Sequence, residues 1–235
     1  MSDTPRFAMP LLDAAQAQKH VTVNEALARA DALAAGRVER RDLAVPPASP
    51  ADGEAFIVDQ GASGDWAGHE GALALFLNGG WEFVAPWEGA SYWVASERLQ
   101  VTHAGGVWVE GRAAGAAGGA ATLMRVIEFD QALSGASVMT PAIIPDKAVV
   151  LGVTGRVIEA IGGAGSWSLG VAGGENRYGA GYGTGAGSFV HGVTGQPQAY
   201  YGGTALVVTA AGGSFTAGTV RLAVHLIEIA PPDPV

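Results

Sequence analysis

Of the 36 glycines in this 235-residue chain, 25 lie after residue 110. Glycine reaches positive φ freely but weakens helices. The C-terminal half is therefore expected to be strands and turns. The chain has no cysteine, which excludes disulfides and thiolate metal sites. About half of the residues are hydrophobic, enough for a buried core, yet no apolar run is long enough to cross a bilayer. Membrane insertion is therefore not expected. The opening MSDTPRFAMP lacks a basic segment followed by an apolar one, so no signal peptide is expected.

Charge divides the chain differently. Residues 1–44 carry six basic and six acidic groups, residues 45–111 one basic and nine acidic, and residues 112–235 six basic and seven acidic. These give net charges of 0, −8 and −1, the total of −9. No basic patch suits a phosphate backbone, so nucleic acid is not expected as a partner.

The pattern predicts a mainly β chain in four parts. The first is a helical segment over 1–44. Thr22 and Glu25 read as a capping box. Val23, Ala26, Leu27, Ala30, Leu33 and Ala34 follow at helical spacing, with Gly36 as C-cap. A shorter helix over Leu11 to Lys19 would precede it, leaving His20 and Val21 in the turn between the two. The narrow stripe suits close packing against other helices, either of this chain or of copies of it, and the segment is expected to dock and trimerise, through Gln16, Gln18, Lys19, His20, Val23, Leu27 and Leu33. The second part, 45–110, is expected to be a small Trp-rich antiparallel meander. Its hairpins turn at Asn78-Gly79 and at residues 103–106. Residues 111–122, rich in Gly and Ala, read as a linker. The last part, 123–235, is expected to be a β-sandwich of jelly-roll type. Its strands run over 123–129, 148–161, 166–171, 205–210 and 219–229. In the last of these, Val220, Leu222, Val224, Leu226 and Glu228 share one face, and Arg221, Ala223, His225, Ile227 and Ile229 the other.

Few residues suggest chemistry. Asp59, Asp65, Glu70, Glu82, Glu88 and Glu97 could supply a glycosidase pair, but nothing sets the required separation, and a solvated acidic face explains them as well. The histidines show no metal-binding spacing, and no phosphate loop occurs, so no metal, cofactor or catalytic residue is expected. Five of the six tryptophans fall at 66, 81, 87, 93 and 108. Such rings either fill thin cores or stack on sugars, and Trp87 is best placed for stacking. A polar, aromatic loop over 175–201 offers Tyr178, Tyr182, His191, Tyr200 and Tyr201 as ligand contacts, unless Tyr200 and Tyr201 form a strand with one ring buried.

The segments AMPLLDAAQAQKHVTVNEALARADAL (8–33), PPASPADGEAFIV (46–58), GDWAGHEGALALFLNGGWEFVAPWEGASYWV (64–94) and YYGGTALVVTAAGGSFTAGTVRLAVHL (200–226) resemble the alphaproteobacterial DUF2793 proteins across nearly the whole chain. These occur in phages, prophages and gene transfer agents. The resemblance implies a virion tail-fibre or host-recognition component, assembled in the cytoplasm and released by lysis. It also implies a homotrimer, docked through its N-terminus to a baseplate or other virion protein. The expected partner outside the particle is host surface polysaccharide, without catalysis. An envelope-polysaccharide depolymerase and a purely structural connector or head spike are the competing readings.

Overall fold

The computed structural model describes residues 3–12 and 19–234. The chain divides into two compact units, Met1–Gly111 and Arg112–Val235. The helical segment and the Trp-rich meander, expected as separate parts, thus belong to one unit.

In the first unit, helix α1 (Lys19–Ala34) is followed by β1 (Arg37–Val38), β2 (Ala55–Ile57), β3 (Leu73–Leu77), β4 (Gly80–Val84), β5 (Ser91–Val94), β6 (Leu99–Ala104) and β7 (Val107–Glu110). Strands β2, β3 and β4 form one antiparallel sheet. The other has the order β1-β5-β6-β7, with β1 parallel to β5. The two expected hairpins are present, turning through Asn78-Gly79 and Gly105-Gly106, all at positive φ. Leu73, Leu75, Ile57, Tyr92, Val94 and Val101 make the shared core. Phe56, Val58 and Trp66 fill the opposite face of the three-stranded sheet, with Trp81 and Phe83 against them.

Three expectations for the N-terminus are corrected. Helix α1 begins by Lys19, so Thr22 and Glu25 lie inside it and His20-Val21 is no turn. Asn24 does the local bonding instead: its Oδ1 accepts the Leu12 amide at 2.9 Å and its Nδ2 donates to the Leu12 carbonyl at 3.1 Å. The buried face is Ala28, Asp31 and Ala32, while Val23, Ala26, Ala30 and Ala34 are exposed. The helix therefore has a core to join within its own chain. Asp31 is fully buried and accepts from Thr4 Oγ1 at 2.9 Å, the Arg6 amide at 2.8 Å and the Phe7 amide at 2.7 Å. Three donors replace the water that a buried carboxylate loses. Gly36, at φ 61°, ends the helix as expected.

The second unit is built on longer strands: β8 (Arg112–Gly115), β9 (Ala121–Ala132), β10 (Ser137–Met139), β11 (Val149–Gly162), β12 (Ser166–Gly170), β13 (Phe189–Ala199), β14 (Val207–Ala211) and β15 (Ala217–Ala230). A five-stranded sheet has the order β13-β11-β15-β9-β8, and a three-stranded sheet the order β10-β14-β12. From β9 onward each successive strand crosses to the other sheet, the alternation of a jelly roll. Residues 178–182 run beside β12: Tyr178 N–H donates to the Leu169 carbonyl, and Tyr182 N–H to that of Trp167. Between the sheets lie Val153, Val157, Val220, Leu222, Val224, Leu226, Trp167, Leu169 and Val208. The two expected faces of β15 are those observed: Val220 to Leu226 alternate inward, while Arg221 and Ile229 are exposed.

The expected linker is structured. Residues 112–115 form β8 and pair with β9, which starts at Ala121. The expected loop over 175–201 holds a strand, β13, paired along β11.

Candidate functional site

Of the six side chains put forward as ligand contacts, two are interior. Tyr178 and Tyr200 are buried, and their hydroxyls hydrogen-bond to each other at 2.7 Å. Burial, and then the bond to Tyr200, push the Tyr178 phenol above its ordinary range. Gly192 makes room for this packing, since a Cβ there would lie 2.3 Å from the Tyr178 carbonyl oxygen. These two rings hold the core and cannot meet a ligand from solvent. Tyr182 is half-buried against Trp167, with ring centroids 5.1 Å apart, and its hydroxyl donates to the Tyr178 carbonyl. Burial raises its pKa as well.

Tyr201 differs from its neighbour by one position and by nearly everything else. It is 84% exposed. Its loop is braced on both sides: Asp146 Oδ1 accepts the Gly202 amide at 2.5 Å, and the Lys147 amide donates to the Tyr200 carbonyl at 2.8 Å. The ring is thus presented by a fixed backbone. In the first unit Trp87 is 53% exposed on another braced turn. There the Gly89 amide donates to the His103 carbonyl, and Glu88 accepts the Gly105 amide at 3.0 Å. Trp93 is also exposed, because β5 alternates and Tyr92 and Val94 take the inner face.

Among the candidate acids, five of the six are engaged in bracing the first unit. Glu97 pairs with Arg41 at 2.6 Å, and that hydrogen bond raises the Arg41 pKa. Glu70 accepts the Ala62 amide, Asp59 the Gln60 amide and Glu88 the Gly105 amide. Glu82 lies 3.7 Å from Arg29. Asp65 opens the short 3-10 turn over Gly64–Trp66.

His191 is exposed on β13, on the outer face of the five-stranded sheet. With Glu128, Thr154, Arg156, Phe189 and Arg221 it borders an open depression of about 480 Å³. Thr154 Oγ1 and His225 Nε2 are hydrogen-bonded at 2.9 Å beside it. Arg221 makes a bidentate pair with Asp130 at 2.7 and 2.8 Å, which holds the Asp130 carboxyl below its ordinary range. Sequence reading placed His191 on a loop and passed over Phe189. The period-two pattern Phe189, His191, Val193 was the available signal.

Of the proposed docking residues, Gln16 and Gln18 lie outside the described residues, as do the side chains of Lys19 and His20. Leu27 and Leu33 are half-buried, Leu33 against the core of the first unit. Val23 is exposed, and so are Val21 and Leu12. The Leu12–Asn24 hydrogen bonds bring these three into one neighbourhood. Among the described residues, no helix is long and apolar enough to cross a membrane.

No curated protein matches the chain. Among solved structures it is similar to a chain of "Cyanophage Pam1 capsid asymmetric unit", at 23% identity over 46% of this chain and 85% of that one, with a TM-score of 0.33. The family described as "Protein of unknown function (DUF2793)" matches residues 23–109, so its signature falls in the first unit, from within α1 to β7, and the jelly roll lies outside the match.

Proposed function

We propose that this chain is a non-catalytic attachment protein of a phage or gene transfer agent: a tail-fibre or receptor-binding component that holds host surface polysaccharide. The observation that carries this reading is Tyr201, a large aromatic ring 84% exposed on a loop fixed by Asp146. An exposed aromatic costs solvation and needs a use, and the apolar C–H face of a pyranose is one that fits. Trp87 on its braced turn offers a second platform. Single stacking contacts are weak, and repetition over the copies in a homotrimer multiplies them. The exposed Leu12, Val21 and Val23 are the surface by which the N-terminus docks to a baseplate or other virion protein. In this reading the protein assembles into the particle in the cytoplasm and leaves the cell by lysis.

Adsorption tests the reading. Particles carrying Tyr201→Ala with Trp87→Ala are expected to adsorb to host cells at least about tenfold less, while particle yield is unchanged. Normal adsorption by the double variant would exclude these rings as the contact. Release of reducing ends from purified capsule by the wild-type chain would overturn the non-catalytic part.

A further inference from the structure

The outer face of the five-stranded sheet is half apolar and half charged. Its register runs in rows. Thr122 lies opposite Ile229; Met124 opposite Ile227, which faces Val149. Val126 opposes His225, and Val193 lies in the same row across Gly152. No charged side chain enters these rows. Ile229 is 74% exposed, Val193 68%, and Met124 and Val126 each about half. The next rows are charged: Glu128 and His191 in one, Asp130, Arg221, Arg156 and Phe189 in the other.

We infer that this face is covered by other copies of the same chain. Two observations select that occupant. The first is size. The five strands, of 11, 14, 14, 12 and 4 residues, give at ordinary strand spacings a face of about 900 Å². A stable interface needs about 800 Å² from each partner. The second is charge. Among the described residues, Arg221 is satisfied by Asp130, but Arg156 donates only to the Gly187 carbonyl at 3.0 Å and Glu128 accepts no hydrogen bond. Glu128 acts on Arg221 only through its charge, and among the described residues neither Glu128 nor Arg156 makes an ion pair of its own on this face, so a second copy supplies a direct complement to both. Around the three-fold axis of the attachment reading, the face of each copy packs against the faces of its two neighbours, sheet on sheet, with the apolar rows turned inward. The homo-oligomer of the attachment reading thus gains an interface in the jelly roll. Glycan attachment is a separate matter: a monomeric chain that still binds polysaccharide would sink only the interface, and an oligomer that binds none would sink only the attachment.

Sedimentation equilibrium at micromolar concentration decides it. The wild-type chain is expected to run as a homo-oligomer, and V126K/I229K as a folded monomer, with unchanged circular dichroism. V193E is the second disruptive variant should the first not fold, and Val107→Lys on the first unit is the control expected to keep wild-type mass. R156E is expected to weaken association by about tenfold or more through like-charge contact, and E128R/R156E to restore it. A monomeric wild type, V126K/I229K or V193E at wild-type mass, or dissociation by Val107→Lys as well would overturn the interface. A double swap no better than R156E would overturn the pairing of Glu128 with Arg156.

Discussion

The two units solve the same packing problem with different materials. The first has strands of two to six residues, and it closes its core with aromatics, a helix and a buried acid. Trp66 touches Phe56 and Trp81 at centroid distances of 5.7 and 5.1 Å, and Asp31 ties residues 4–7 to α1. The second has strands of up to 14 residues, and aliphatic side chains alternating along them supply most of its core, with Trp167, Tyr178, Tyr200 and Phe215 set among them. The difference shows what short strands cost. A two- or three-residue strand brings too few inward positions, so large rings and polar anchors must supply the missing contacts. Long strands bring more of them, and they also create a broad outer face that nothing in the described unit covers.

That contrast can be broken by substitution. The largest effect is expected from Trp66→Ala, about 4 kcal/mol of lost stability. Hydrogen exchange should show the loss confined to residues of the first unit. Equal loss in both units would mean that the cores are not independent. Leu222→Ala is expected to cost about 3 kcal/mol, confined to the second unit, by the same readout. Asp31→Asn keeps the size and removes the charge that three donors share. A loss of about 2 kcal/mol in thermal or denaturant unfolding is expected, with faster exchange of the Arg6 and Phe7 amides. Tyr178→Phe is expected to cost about 1 kcal/mol. It also carries a pH signature. The folded-state pKa of Tyr178 is raised above the unfolded value by burial, so its stabilising contribution is whole below about pH 10 and is lost as pH rises above it. Alkaline unfolding of the wild type should therefore be steeper than that of Tyr178→Phe. The smallest effect on stability is expected for Tyr201→Ala, within about 0.5 kcal/mol, because the residue is 84% exposed.

Much of the fold was legible because hairpin and strand signals are local. Asn78-Gly79 fixes a tight turn by its own conformational preference, and the alternation from Val220 to Leu226 names its inner face. What escaped reading depended on partners distant in sequence. Asp31 looks like any exposed helix acid until Thr4 and the Arg6 and Phe7 amides close over it. The apolar spacing of Val23, Ala26 and Ala30 suggested a buried stripe, yet Ala28 and Ala32, small enough for close approach, are the residues facing the sheet. Residues 112–115 look too plain for a strand and become one by pairing with β9. In the candidate site, exposure of Trp87 and Tyr201 followed from turns and composition. The burial of Tyr178 and Tyr200 required knowing that β13 and the 178–182 segment meet.

The most direct test of the attachment account is a cryo-EM map of the particle that carries this chain. The account requires residues 3–34 to face the particle body, the jelly rolls of neighbouring copies to touch through the β13-β11-β15-β9-β8 face, and the Tyr201 loop to lie open to solvent. A map with the Tyr201 loop buried against the particle would contradict it, and a bare sheet face would contradict the interface alone.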